Sequence, residues 1–160
     1  MSDELEIRRA TEADLSEVLR LVRGLARYEK LEHQFVATAE NYRAALFGET
    51  PRAEIWLGFL GADAVGYVTF FHTFSTFLGK PGLYLEDLFV EEEFRGRGFG
   101  SQLFRFVAKQ ARERGCGRME WSALDWNEPA IRFYQGMGAT MQADWRLFRL
   151  EGEGLGLAKF

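Results

Sequence analysis

One cysteine, Cys116, stands in 160 residues, so no disulfide can close within the chain. Its Gly-Cys-Gly setting reads as a turn entering a strand rather than a redox site. Histidine is nearly as scarce. His33 and His72 are the only two, and neither has the spacing of a metal-ligand set, so no metal is expected. His72, inside Phe-Phe-His-Thr-Phe, reads as a structural residue. No apolar run approaches the roughly 20 residues that cross a membrane, and MSDELEIRRA lacks the apolar core of a signal peptide. A cytoplasmic protein with no membrane partner is expected. Positive charge is in deficit, 20 Lys and Arg against 24 Asp and Glu, for a net charge of −4. That balance argues against a general nucleic-acid binder and tolerates a cationic ligand. A Gly-x-Ser-x-Gly nucleophile elbow is also missing.

What is present is apolar and regular. Hydrophobic residues make up 47% of the chain, with fifteen phenylalanines, which is the composition of a globular core. The length suits one domain spanning 1–160, and no linker or repeat interrupts it. ELEIRRA alternates as a first strand. Thr11 with Asp14 signals a capped helix whose apolar face carries Leu15, Val18, Leu19, Val22, Leu25 and Ala26. A second helix runs from Thr38 to a stop at Gly48. AEIWLGFLG and AVGYVTFFHTF flank Gly-Ala-Asp, a hairpin signal, and GLYLEDLFV reads as a third strand of that group. A helix then carries Leu103, Phe106, Val107 and Ala111 and ends at Gly115. RMEWSAL reads as a strand. Asn127 caps a further helix with Pro129 in its first turn. DWRLFRL reads as a last strand, and EGEGLGLAKF as a loosely held end. The fold class is α/β (α+β), a mixed, mostly antiparallel central sheet flanked by helices.

Between the apolar strand and the third helix lies EEEFRGRGFGSQLF, Glu91–Phe104. Unpaired N–H groups and the helix dipole make a helix start receptive to an anion. Gly96, Gly98 and Gly100 remove the Cβ atoms that would hold a phosphate off, and Arg95 and Arg97 add charge. A P-loop would want Lys-Ser/Thr after the last glycine, where Ser101-Gln102 stands. A dinucleotide would want Gly-x-Gly-x-x-Gly in a first βαβ unit. The pyrophosphate of coenzyme A is the third guest, and a plain tight turn the bland alternative.

RGRGFG fits Arg-x-x-Gly-x-Gly and resembles the acetyl-CoA loop of the GNAT acetyltransferase superfamily. Two longer segments, YLEDLFVEEEFRGRGFGS and LDWNEPAIRFYQGMGA, are similar to the diamine and polyamine subgroup, the spermidine/spermine N-acetyltransferases and the thialysine-acetylating enzymes. The likeness extends from IRRATEADL to WRLF. It implies a GNAT-like domain that moves acetyl from acetyl-CoA to a primary amine by direct transfer.

The resemblance also implies roles. Backbone at Leu88, Phe89 and Val90 would pair with pantetheine. Arg95, Gly96, Arg97, Gly98, Phe99, Gly100 and Ser101 would cradle the pyrophosphate. Asn127, with Pro129 and Ala130 beside it, would hold the pantetheine arm, where a helix cap alone is the simpler use. Tyr134 would protonate the leaving thiolate; by spacing from Ile131 it could equally be a core aromatic. Glu86 and Asp87 sit in an apolar run, where a carboxylate needs a reason. Adjacent strand residues face opposite ways, so one can face a substrate channel. The resemblance points to Glu86 as the group that binds the amine and relays its proton, with Asp87 beside it as a further substrate-binding residue. Tyr28, Glu29, Asp144 and Trp145 match substrate-side positions. Dimerisation through the last strands is common in the family, so a homodimer is expected.

The chain also departs from its relatives. Polyamine enzymes carry Asp and Trp in a segment like Asp-Pro-Trp before Gly-Lys; here FSTFLGK supplies Ser75 and Phe77. With LDWN, that turns the expectation toward a thialysine-like acceptor. The loop from Gly138 to Trp145 is short, which puts Asp144 and Trp145 in doubt as substrate contacts. A catalytically decayed acyl-CoA-binding module and a nucleotide-binding regulator are the alternatives from other classes.

Overall fold

A computed structural model describes residues 3–156. They fall into two compact units divided after Ser122. The first holds β1 (Glu6–Arg9), α1 (Leu15–Tyr28), α2 (Ala39–Phe47), β2 (Glu54–Leu60), β3 (Asp63–Ser75), β4 (Lys80–Val90), α3 (Phe99–Glu113) and β5 (Arg118–Glu120). Its sheet is ordered β1-β2-β3-β4-β5. The first three pairings are antiparallel and β4–β5 is parallel. A parallel pair needs a crossover, and α3 supplies it.

Local chemistry accounts for the boundaries. The Thr11 N–H donates to the Asp14 carboxylate at 2.8 Å, and Arg8 donates to the same group at 2.9 and 3.0 Å. This cap closes a short 3-10 turn, Glu12–Asp14, and α1 starts at Leu15. The buried stripe of α1 is Leu15, Val18, Leu21 and Val22. Leu21 thus joins the expected face, while Leu19 is only half-buried. Thr38 and Asn41 exchange hydrogen bonds at 2.9 and 3.2 Å, and α2 stops at Phe47, before Gly48. The β2–β3 hairpin turns on Gly61 and Ala62, with Leu60 opposite Asp63. Past α3, the Cys116 N–H bonds the Ala111 carbonyl around Gly115.

Helices cover both faces of the sheet. Val18, Leu21, Leu46, Ile55, Leu57, Tyr67 and Phe89 form one core between the sheet and α1 and α2. On the other face the Trp56 and Phe106 rings lie 4.8 Å apart, and Leu103 of α3 is fully buried.

Two expected strands differ. β5 is only Arg118–Glu120, because its pairing with β4 covers just Gly82–Tyr84. In the second unit, α4 (Glu128–Gly136) forms as expected, with the Asn127 side-chain oxygen accepting the Ala130 N–H at 3.4 Å and Pro129 in the first turn. DWRLFRL, however, is not a strand: residues 145–150 have no regular structure. Its alternation is strand-like, but a strand also needs a partner for its backbone. Trp145, Leu147 and Phe148 are 78%, 78% and 90% exposed. Of the tail, Gly152–Gly156 forms a 3-10 turn, and the last four residues lie outside the described ones.

Candidate active site

The glycine loop leads directly into α3. Gly98 is the N-cap of that helix with φ +82°, and Gly96 has φ +75°. Both lie in the left-handed region that glycine adopts at no steric cost. A Cβ at either would enter open space. The first N–H to bond back is that of Gln102, to the Gly98 carbonyl at 3.1 Å. The N–H groups of Phe99, Gly100 and Ser101 therefore precede the helical ladder. Phe99 buries its ring and contributes only backbone here. This open turn, with helical N–H groups beyond it, fits an anion of pyrophosphate type.

The two arginines are largely occupied with protein groups. The Arg95 guanidinium donates to the Val90 carbonyl at 2.9 Å and stacks 4.5 Å over the Tyr28 ring. Arg97 pairs with Asp3 and lies 5.0 Å from the Phe99 ring centroid. They brace the loop, and the backbone presents most of the anion-binding groups. Gly98→Ala would add backbone strain to any binding defect. Gly100 lies in the first turn of α3, where alanine is the better helix former. Gly100→Ala is therefore expected to keep or raise the unfolding midpoint while weakening coenzyme A binding, as calorimetry on the folded variant would measure.

β4 is bonded to β3 along its length, but to β5 only through Tyr84. Among the described residues of this unit, the other edge of residues 85–90 has no strand beside it. Leu88, Phe89 and Val90 lie there.

The same strand carries a bulge. Thr69 pairs with Asp87, yet Phe70 pairs with Leu85, so Glu86 is the extra residue. A bulge breaks the strict alternation expected of neighbouring residues and re-aims a side chain. Glu86 is exposed; Asp87 is turned inward. The Tyr67 hydroxyl donates to Asp87 Oδ2 at 3.1 Å, and the Thr69 hydroxyl lies beside the same carboxylate, outside ordinary hydrogen-bond geometry. Burial, then the nearby Glu86 and Glu29 charges, push the Asp87 carboxyl up to about 7, against the pull of the Tyr67 hydrogen bond. Glu29, at the end of α1, is raised by burial and by Glu86. Burial, then Asp87, carry Tyr42 of α2 up to about 12. Three carboxyl groups from two elements thus share one neighbourhood, an arrangement that suits a cation.

This carboxyl has a stability signature. Between the unfolded value near 4 and the folded value of about 7, native Asp87 holds a proton that the unfolded chain has released. Stability from this group is therefore present below that window and lost as pH rises through it. Asp87→Asn cannot ionise. Its unfolding midpoint should match the parent near pH 4 and exceed it at pH 8 by at least about 2–4 °C, the effect of 1 kcal/mol in a chain of this size. Thermal unfolding at both pH values measures the difference.

Glu29, Glu86 and Asp87 are thus brought together. Tyr28 instead stacks on Arg95 and lines a cleft with Arg20, Leu21 and Phe89. In the second unit, Asn127 is buried as a cap, Tyr134 is half-buried with the Phe133 ring 5.2 Å away, and Asp144 and Trp145 are exposed. Tyr67 and Tyr42 were not anticipated. The available signal was a phenol inside the apolar run AVGYVTFF, where a buried hydroxyl needs a partner.

Comparison with known proteins agrees with this architecture. Residues 20–139 match the acetyltransferase (GNAT) family, and the chain belongs to it. It is an N-acetyltransferase of a family that uses acetyl-CoA. It is 39% identical to a thialysine N-epsilon-acetyltransferase of Bos taurus, over 93% of this chain and 94% of the relative. It is 34% identical to an L-ornithine N5-acetyltransferase of Arabidopsis thaliana, over 93% and 85%. An integron cassette protein from the mobile metagenome of V. cholerae superposes with a TM-score of 0.80 at 29% identity, covering 100% of this chain and 99% of that one. Among the described residues, no group of three or more potential ligands could hold a metal, and no helix is long and apolar enough to cross a membrane.

Proposed function

We propose that this protein transfers acetyl directly from acetyl-CoA to the side-chain amine of a small cationic, amino-acid-like acceptor, in a ternary complex. The carrying observation is the cluster of Glu29, at the end of α1, with Glu86 and Asp87 on the strand that leads into the glycine loop, in a chain of the acetyltransferase family. When bound, acetyl-CoA supplies the thioester. Gly96 through Ser101 and the open edge at Leu88, Phe89 and Val90 would anchor it, with Asn127, Pro129 and Ala130 at the pantetheine arm. Glu86 would receive the amine's proton through water, and Tyr134 would return a proton to the thiolate. Tyr28, Asp144 and Trp145 remain candidates on the acceptor side.

Relatives named for thialysine and L-ornithine support an amino-acid-like acceptor. So do Ser75 and Phe77, where polyamine enzymes have Asp and Trp; without that carboxylate a long polycation loses a partner. Acetyl-CoA turnover with thialysine, ornithine, putrescine, spermidine and spermine tests the reading. A kcat/KM for thialysine or ornithine well above that for spermine is expected, and the reverse order would refute it. No turnover with any amine would favour a decayed acyl-CoA-binding module.

We further propose that the enzyme acts in the cytoplasm as a homodimer. The exposed, alternating DWRLFRL is a segment with strand pattern and no strand partner among the described residues, as expected of one completed by a second copy. Sedimentation of the full chain, with Leu147→Asp and Phe148→Asp as the disrupting pair, decides it: a monomeric parent would overturn the proposal.

A further inference from the structure

Tyr67 is the most buried polar group near the site, with no side-chain exposure, in a core of Val18, Leu21, Leu57 and Phe89. A phenylalanine would fill that space as well. The hydroxyl therefore has a use other than packing, and its hydrogen bond goes to Asp87 Oδ2 at 3.1 Å. Asp87 sits directly across from Thr69 on β3, so Tyr67 reaches it diagonally on the same face of the sheet. The bulge at Glu86 sets the register that allows this reach.

We infer that Tyr67 is a positioning residue for the acceptor: its hydroxyl holds one oxygen of Asp87, fixing the carboxylate so that it binds the ammonium beside Glu86 and Glu29. The inference rests on the amine-acetylating reading above.

The groups that face Asp87 can be named element by element. They are Glu86 on β4, Tyr67 and Thr69 on β3, Glu29 at the end of α1 and Tyr42 on α2. Tyr67 and Tyr42 both ionise well above neutrality, so both are neutral donors throughout the working range. Burial first, and then the neighbouring carboxylates, oppose ionisation of Asp87, and the Tyr67 hydrogen bond favours it. Removing the hydroxyl should leave the carboxyl protonated to higher pH, where a neutral acid binds an ammonium poorly. Acceptor binding would then weaken at neutral pH and recover in base. Anchoring of the donor involves none of these groups and should not change.

The test compares the parent, Tyr67→Phe and Asp87→Asn. Carbon-13 NMR of the aspartate carboxyl groups, with Asp87→Asn to identify the signal, follows the ionisation of Asp87 without any substrate. Acceptor KM for thialysine, from pH 6 to 9 at saturating acetyl-CoA, follows its effect on binding. In the parent, KM should fall as pH rises through the NMR midpoint. In Tyr67→Phe both midpoints should move up together by about half to one unit, with KM several-fold higher at pH 7 and converging on the parent by pH 9. Asp87→Asn should lose the pH step in KM. A purely structural hydroxyl would lower the unfolding midpoint and leave both titrations in place. An unmoved NMR midpoint, or a moved one with an unmoved KM step, overturns the inference. Failure to acetylate any amine would instead refute the proposed function, and the NMR titration would then decide alone whether Tyr67 governs Asp87.

Discussion

Replacing Tyr134 by phenylalanine is expected to lower kcat roughly 10²–10⁴-fold, the range for lost general acid catalysis. Acetyl-CoA affinity and folding should stay near those of the parent. The substitution keeps the ring, and with it the edge-on packing against Phe133 at 5.2 Å. It removes one hydroxyl. A thiolate leaving without a proton is a poor product at neutral pH, and a phenol hydroxyl is a group that can donate one. The competing role is structural. If the hydroxyl only satisfies a buried group, the variant should lose roughly 1–3 kcal/mol of stability and keep its turnover. Measuring kcat and the unfolding midpoint on the same preparation separates the two, because each role predicts the change that the other leaves out.

Glu86→Gln is the second large effect. A lysine-like amine with pKa about 10.4 is neutral in about one molecule in 2,500 at pH 7. Assistance to deprotonation can therefore recover up to roughly 10³-fold, and loss of that assistance should cost about as much in kcat/KM at pH 7. The deficit should shrink about tenfold per pH unit as the free amine becomes available in solution, moving the pH–rate profile upward. The bulge makes this test specific: Glu86 is the extra residue on β4 and is exposed, so its amide variant disturbs no strand pairing and buries no new polar group. Coenzyme A binding should be unchanged. A profile that stays in place would leave Glu86 without a part in proton transfer.

Local chemistry was legible in the sequence, and long-range register was not. Thr38 with Gly48, Asn127 with Pro129, and Gly61-Ala62 between two apolar runs each carry their own boundary in a few neighbouring residues. The helix from Phe99 was readable for the same reason. Asp87 was read as a substrate-side residue beside Glu86, without its buried partner. Its inward turn depends on which residue of β3 faces which residue of β4, a relation across 18 positions that alternation alone does not contain. Tyr67 was hidden because an aromatic in an apolar strand looks like packing until the opposite strand supplies a carboxylate. DWRLFRL failed in the other direction: the pattern of a strand was present without a partner among the described residues of its own unit.

The sheet order has a consequence for how the chain folds. β2, β3 and β4 are joined by short turns, so their pairings close small loops and can form early. β1 reaches β2 only across α1 and α2, and β5 reaches β4 only across α3. These outer pairings close long loops and carry few residues, four in β1 and three in β5. Destabilising changes in the central meander should therefore slow folding, whereas equivalent changes in β1 or β5 should mainly speed unfolding. Glu86, Asp87 and the bulge lie in the early-forming part, so these two carboxyls would be set before the outermost strands are added, and Glu29 would join them only when α1 docks.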